Sequence, residues 1–154
     1  MTDQLRENAD GASKMPAGKE QEGVEYIRQG EQLLSIVVRS NFSPAKTSFF
    51  TEDELEQQAG FIVYPAGGTI ASHEHRALHR EISSTSETLI VRSGSMEAQL
   101  FDDSRQLVAT RTLSEGDVLI LISGSHGFRM NEDTVLLEIK QGPYSGLDEK
   151  IVWG

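Results

Sequence analysis

The 154-residue chain contains no cysteine. This absence excludes disulfides, thiolate zinc sites and cysteine nucleophiles, so any metal must be held by histidines and carboxylates. Long hydrophobic runs are missing as well: the longest strongly apolar run, Val118 to Ile122, is far too short to cross a bilayer. The sequence therefore predicts a protein that does not span a membrane.

Positive charge is scarce. The chain has 14 Lys and Arg against 24 Asp and Glu, a formal net charge of −10, and no basic cluster. Such a charge opposes binding to nucleic acid or to an anionic lipid surface. The N-terminal residues lack the apolar stretch of a signal peptide, which predicts a cytoplasmic protein. Glycine-rich phosphate loops and a nucleophile elbow are also absent, so neither NAD nor ATP nor a hydrolase triad is expected.

The N-terminal residues 1–23 are polar and charged, and they contain too few apolar side chains to offset chain entropy. We predict a disordered tail over these residues. Residues 24–154 are long enough for one domain with one hydrophobic core.

From Val24 onward, short apolar or alternating runs are separated by turn residues, a pattern typical of antiparallel all-β sandwiches and barrels. The segment Thr51 to Gln58 is predicted to form one short helix, and Asp102 to Arg105 a hairpin turn. The predicted strands are Glu25–Arg28, Leu33–Val38, Phe61–Tyr64, Ser72–His75, Glu87–Arg92, Met96–Phe101, Leu107–Leu113, Asp117–Ile122, Gly127–Met130 and Thr134–Lys140.

Three pieces of sequence carry candidate metal ligands. His73 and His75 lie two residues apart in a predicted strand, so both side chains leave the same face. Glu87 begins a strand and shares its face with apolar residues, where a carboxylate is costly unless it is paired or bound to a metal. His126 follows another apolar strand and a glycine turn. Together these residues form a candidate site for one metal ion.

This pattern resembles the two motifs of the cupin superfamily, over roughly Phe61 to Lys140. The resemblance implies a jelly-roll β-barrel that holds one divalent metal, commonly Fe, Mn, Ni or Zn, through three histidines and one glutamate. It also implies a homodimer. The matching residues are Gly67, His73, His75, Glu87 and Gly94 in the first motif, and Gly116 and His126 in the second.

The sequence departs from the motifs at two points. The gap between His75 and Glu87 is longer than usual and contains His79 and Glu81, either of which could replace Glu87 as a ligand. We favour Glu87, because it alone keeps the spacing to Gly94. The second motif lacks its usual proline and is one residue short before His126.

The stretch from Glu138 to Lys150 is similar to the C-terminal end of small cupins from bacterial surface-polysaccharide gene clusters, which implies a sugar or sugar-nucleotide ligand. We therefore expect a small-molecule enzyme, either a sugar isomerase or epimerase or a metal-dependent dioxygenase. The alternatives are a non-catalytic ligand-binding or sensor barrel, and a barrel that serves only as a dimer scaffold.

Two predictions concern the C-terminal part of the chain. Glu138 and Lys140 share one strand face, which we expect to be the wet outer face. If that face points inward instead, Lys140 becomes a candidate for acid–base chemistry or anion binding. Trp153 is expected to pack the C-terminal segment onto the fold.

Overall fold

A computed structural model describes residues 22–146 and 149–154. The predicted tail lies outside the described residues, apart from Glu22 and Gly23, which form a turn before the first strand. Ten strands make the described part all-β. They are β1 (Val24–Gln29), β2 (Gln32–Val38), β3 (Ser48–Phe49), β4 (Gly60–Phe61), β5 (Glu87–Ser93), β6 (Ser95–Phe101), β7 (Leu107–Ser114), β8 (Val118–Leu121), β9 (Ser125–Met130) and β10 (Val135–Lys140).

The strands form three antiparallel sheets, as the short connections predict. The large sheet has the order β1-β2-β8-β5-β10, and the small sheet has the order β7-β6-β9. Strands β3 and β4 make a separate two-stranded ribbon. Hairpins join β1 to β2 and β6 to β7, whereas the turn at Gly94 carries the chain from β5 in the large sheet to β6 in the small sheet.

The main core lies between the large and small sheets. Strands β5 and β6 alternate along their length, so that every second side chain is buried between the sheets and the others are more exposed. The buried residues of this core are Ile27, Val37, Leu89, Val91, Met96, Ala98, Leu100, Leu113, Leu119 and Leu121.

A second core covers the opposite face of the large sheet. The segment between β2 and β4 folds over this face, where Phe50 packs against Ile36 and Ile120. The hydroxyl of Tyr26 donates a hydrogen bond to the carbonyl oxygen of Phe50 at 2.7 Å. Strand β2 is therefore buried on both faces, which explains why its sequence is apolar almost without interruption.

The described sheets do not close into a single barrel. Strand β10 is an edge of the large sheet and β9 is an edge of the small sheet. No strand is present between Ile62 and Ser86, so the predicted strand Ser72–His75 does not form and Phe61–Tyr64 is reduced to the end of β4. The antiparallel all-β prediction is confirmed at this level.

The predicted helix at Thr51 to Gln58 is a series of turns instead. The amide nitrogen Nε2 of Gln58 donates hydrogen bonds to the carbonyl oxygens of Glu52 at 2.8 Å and Leu55 at 3.0 Å. The hydroxyl of Thr51 accepts a hydrogen bond from the backbone of Ala59 at 2.9 Å. The side chains of Gln58 and Thr51 thus make the hydrogen bonds that backbone groups would make with each other in a helix. Among the described residues there is no helix with the length and hydrophobicity needed to cross a membrane.

Candidate functional site

Glu87 begins β5 on the face that points toward the small sheet, beside the core residues Leu89 and Val91. Only 7% of its surface is exposed. The start of the strand is held by Gln141, whose Oε1 accepts a hydrogen bond from the backbone of Ser86 at 2.7 Å. The fold therefore fixes a carboxylate at the end of an apolar core.

His126 lies on β9 and faces the same interior. It pairs in register with Leu100, a core residue of β6. The turn before it contains Gly124 in the left-handed region (φ +71°), where a Cβ would stand 2.2 Å from the carbonyl oxygen of Phe101. Glycine is thus required for β9 to come this close to β6.

The two residues meet across the gap between the sheets. Nε2 of His126 lies 3.2 Å from Oε2 of Glu87. The imidazole stacks on Phe128, with ring centroids 5.1 Å apart. Desolvation lowers the pKa of His126 below its usual value, although the charge of Glu87 opposes this effect and Lys150 adds to it. At neutral pH the imidazole is therefore uncharged, the form that binds metals.

A cavity of about 630 Å³ lies beside this pair, along the free edge of β9. Glu87, His126 and Phe128 line it from the inner faces of the sheets, whereas Gln99 and Phe101 of β6 line it from the outer face of the small sheet. Its size is in the range of small-molecule sites, and its wall combines aromatic surface with a few polar groups.

Residues 149–154, which we call the C-terminal segment, form another wall of the cavity. Trp153 fastens this segment: its ring packs edge-on against Phe101 at 5.0 Å, and the guanidinium of Arg105 lies 5.2 Å from its centroid. The prediction that Trp153 packs the segment onto the fold is confirmed. No pattern in the sequence predicts that the C-terminal segment borders a cavity at Glu87 and His126.

Lys140 and Glu138 point inward, contrary to our expectation of a wet outer face. Lys140 pairs in register with Glu87 and Glu138 with Leu89, so all four side chains lie on one side of the large sheet. The expectation was wrong because Val135, Leu137 and Ile139 carry the regular apolar alternation of β10. Those three side chains are exposed on the opposite face.

Lys140 is surrounded by carboxylates. Its Nζ lies 3.4 Å from Oε2 of Glu149 and 3.7 Å from Oε1 of Glu138. Desolvation alone would lower the pKa of Lys140, but the hydrogen bond to Glu149 and the charges of Glu138 and Glu87 raise it. The ammonium group therefore remains charged at neutral pH.

The other predicted ligands lie elsewhere. His73 and His75 are exposed in residues 62–86, which we call the histidine loop, and their ring centroids are 5.2 Å apart. Nδ1 of His73 lies 3.0 Å from the carbonyl oxygen of Ala71 and must donate to it, which leaves Nε2 of a neutral ring free as a ligand. His79 and Glu81 are exposed in the same loop.

The described residues thus present the four predicted ligands as two pairs. Nowhere in residues 22–146 and 149–154 are three or more His, Asp or Glu side chains grouped so that they could hold a metal ion. The pair Glu87–His126 fits a metal in one respect: two ligand atoms that each lie about 2.1 Å from one ion are about 3 Å apart. Their separation is 3.2 Å. Comparisons of the chain with protein-family models, curated proteins and solved structures find no match.

Proposed function

We propose that this protein is a metal-binding cupin that acts on a small molecule, with His73, His75, Glu87 and His126 as ligands of one divalent transition metal. The observation that carries the proposal is the contact between Glu87 and His126. Both residues are candidate ligands from sequence, they belong to different sheets, and they meet at the wall of a cavity. Imidazole and carboxylate donors suit Fe, Mn, Ni or Zn.

The proposal requires the histidine loop to approach the pair. This loop exposes six large apolar side chains by 37% to 65% of their surface: Ile62, Val63, Tyr64, Ile70, Leu78 and Ile82. Burial of one such side chain contributes about 1.5–3 kcal/mol. The free edges of β9 and β10 offer unpaired backbone groups, and β9 also lines the cavity. We propose that the loop adds strands to these edges, closes a jelly roll and carries His73 and His75 to His126.

When bound, the metal would supply Lewis-acid or oxygen-activating chemistry. The protein contributes the buried carboxylate of Glu87, the neutral imidazole of His126, and a cavity with aromatic side chains in its wall. Isomerisation or epimerisation of a sugar or sugar nucleotide and dioxygenation both remain within the proposal. Oxygen consumption with an iron-loaded protein supports dioxygenation, whereas turnover without oxygen supports isomerisation.

A homodimer belongs to the same proposal. The outer face of β10 exposes Val135, Leu137 and Ile139, and this strand is the edge of its sheet. Exposed apolar edge strands favour association with a second chain. Sedimentation of the full chain tests this part: a strictly monomeric profile contradicts it.

The experiment that tests the function is elemental analysis of protein purified without a His-tag or chelator. We expect close to one metal per chain in the wild type and none in a His73→Ala/His126→Ala variant. His79→Ala is the matched control, because it removes a histidine from the same loop and should leave the metal in place. Absence of metal from the wild type, in protein that was never exposed to chelator, contradicts the proposal.

A non-catalytic ligand-binding barrel is the second candidate. It is favoured by one observation, that His73 and His75 lie in an exposed loop while the cavity is bordered by the C-terminal segment. This reading expects ligand binding in the absence of metal. If the N-terminal tail contacts a partner, deletion of the residues before Val24 should abolish partner binding, whereas an enzyme should keep its activity.

A further inference from the structure

Lys140 is a cation that faces the interior of an acidic protein. Its side chain exposes 23% of its surface, and its position in β10 is directly opposite Glu87 in β5. Lys140 does not itself line the cavity, but Glu149, which contacts its Nζ at 3.4 Å, does. Glu149 therefore both borders the cavity and contacts Lys140, so an anion in the cavity that took the place of its carboxylate would reach Lys140.

Glu149 belongs to a part of the chain that is lightly attached. The C-terminal segment belongs to none of the three sheets, and its residues Ile151 and Val152 are 83% and 92% exposed. Near its start the segment is held by the carboxylate of Glu149, whose Oε1 accepts hydrogen bonds from Ser145 at 2.8 Å and 3.0 Å. A partly exposed ion pair such as Glu149–Lys140 adds little net stability, so it can be exchanged at little cost.

We propose that Lys140 binds the anionic group of the ligand, a carboxylate or phosphate, and that Glu149 occupies this position until the ligand displaces it. This inference rests on the proposed function, because it assigns the ligand of the same cavity to anionic small molecules. A ligand carboxylate offers Lys140 the same charge and hydrogen-bond acceptors as the Glu149 side chain. Glu138, whose Oε1 lies 3.7 Å from Nζ, belongs to β10 and does not move with the C-terminal segment.

The exchange also opens the cavity. Residues 149–154 line it together with Glu87 and His126, so removal of Glu149 from Lys140 widens the route to that pair. Trp153 belongs to the same segment, packs against Phe101 and Arg105 while Glu149 is in place, and is the only tryptophan in the chain. Its fluorescence therefore reports movement of the C-terminal segment without an added label.

The test uses the full-length, metal-free protein with acetate and inorganic phosphate as probes, titrated against chloride at constant ionic strength. Binding is followed by the fluorescence of Trp153 and, independently, by amide NMR shifts. We expect Lys140→Met to weaken binding of the probe about tenfold or more and Lys140→Arg to restore most of it. Glu149→Gln should tighten binding severalfold and raise the acrylamide quenching of Trp153 before any probe is added.

Two matched controls separate position from net charge. Lys150→Met removes a positive charge from the cavity wall, and Glu138→Gln removes a carboxylate from Lys140 but leaves the C-terminal segment intact. Both should change probe binding less than twofold. The proposal is overturned if Lys140→Met and Lys150→Met weaken probe binding equally. It is also overturned if Glu149→Gln leaves probe binding unchanged. No probe binding to wild type or to Glu149→Gln overturns it too.

These measurements are independent of the metal. Metal content that depends on His73 and His126, combined with failure of the anion tests, would reject the role of Lys140 and leave the proposed function standing. Anion binding that depends on Lys140, in a protein that never takes up metal, would reject the proposed function and leave the role of Lys140 standing.

Discussion

Nε2 of His126 lies 3.2 Å from Oε2 of Glu87, and the two residues belong to different sheets. Glu87 is almost completely buried, while 31% of the His126 side chain is exposed toward the cavity. The contact therefore joins the two sheets at the point where the core ends and the cavity begins. Because Glu87 is buried, a variant that removes its charge must preserve its shape.

Glu87→Gln preserves shape and removes the charge. The amide oxygen can still accept a hydrogen bond from His126, so we expect a folded protein, but a neutral amide is a poor ligand for a transition metal. Metal affinity should fall about tenfold or more, as measured by competition with a chromophoric chelator. Glu81→Gln, in the exposed loop, should have no effect. If Glu81→Gln lowers the metal affinity and Glu87→Gln does not, Glu81 is the fourth ligand.

Docking of the histidine loop predicts a change in backbone protection. Addition of Zn²⁺ or Mn²⁺ to the metal-free protein should slow hydrogen exchange across residues 62–86, because new strands would pair their amides with β9 and β10. His73→Ala should show no such slowing. A loop that exchanges equally fast in the metal-loaded and metal-free wild type would contradict the proposed closure.

The sequence predicts best where local chemistry and burial agree. The turn at Asp102 follows its residue types: Oδ1 of Asp102 accepts hydrogen bonds from the backbone of Ser104 and Gln106, both at 2.9 Å. Arg105 takes the left-handed conformation there, with φ of 61°. The flanking strands β6 and β7 form close to their predicted bounds, because alternation and turn residues specify the same hairpin.

Predictions fail where tertiary contacts decide between local alternatives. Thr51 to Gln58 has helical composition, yet the Gln58 side chain satisfies its carbonyls in turns. Strand β10 has apolar residues on both faces, so parity alone could not tell that Lys140 points inward. Glu87 is predicted from its motif position and its strand face and His126 from its motif position alone, and their role as metal ligands stays a prediction. The position of Glu149 beside Lys140 depends on the path of the C-terminal segment, which no periodicity encodes.

Asp117 is predicted to be a major contributor to stability. Its carboxylate is buried, accepts hydrogen bonds from the backbone of Ser40 at 2.8 Å and Ser114 at 3.1 Å, and pairs with Arg39 at 2.9 Å. Asp117→Ala would leave two amides without partners, so the free energy of unfolding should fall by about 2–4 kcal/mol. Urea denaturation measures this change.

Asp133→Ala, at an exposed position, is the control for Asp117→Ala and should change the free energy of unfolding by less than about 0.5 kcal/mol. Similar losses in the two variants would show that the Asp117 hydrogen bonds do not carry the effect.

Gly94 connects β5 to β6 in a conformation that disfavours a side chain. Its φ is +84°, and a Cβ would lie 2.3 Å from the carbonyl oxygen of Asp133. Gly94→Ala should therefore cost about 2 kcal/mol or more, from left-handed strain together with a backbone clash. Gly30 also has positive φ (+59°) but open space around it, so Gly30→Ala isolates the strain and should cost about 1 kcal/mol. Thermal unfolding of both variants separates the two contributions.

The pair Glu25–Arg111 predicts how stability depends on pH. Nε of Arg111 donates to Oε1 of Glu25 at 2.8 Å and to Oε2 at 3.0 Å. These hydrogen bonds lower the pKa of Glu25 in the folded protein, against an opposing effect of desolvation. Since the folded pKa is below the value of about 4.3 in an unfolded chain, the pair stabilises the fold above that pH. Its contribution is lost as the pH falls through the folded pKa.

Glu25→Gln should consequently lower the free energy of unfolding at pH 7 by about 1 kcal/mol, a modest value because both side chains are about one third exposed. The wild type and the variant should converge as the pH falls below 4, which urea denaturation at a series of pH values measures. Glu97→Gln is the matched control: its partner Arg129 is 68% exposed, so the variant should lose less than about 0.5 kcal/mol at any pH. A difference between wild type and Glu25→Gln that persists unchanged at low pH would show that packing, and not the charge of Glu25, accounts for the loss.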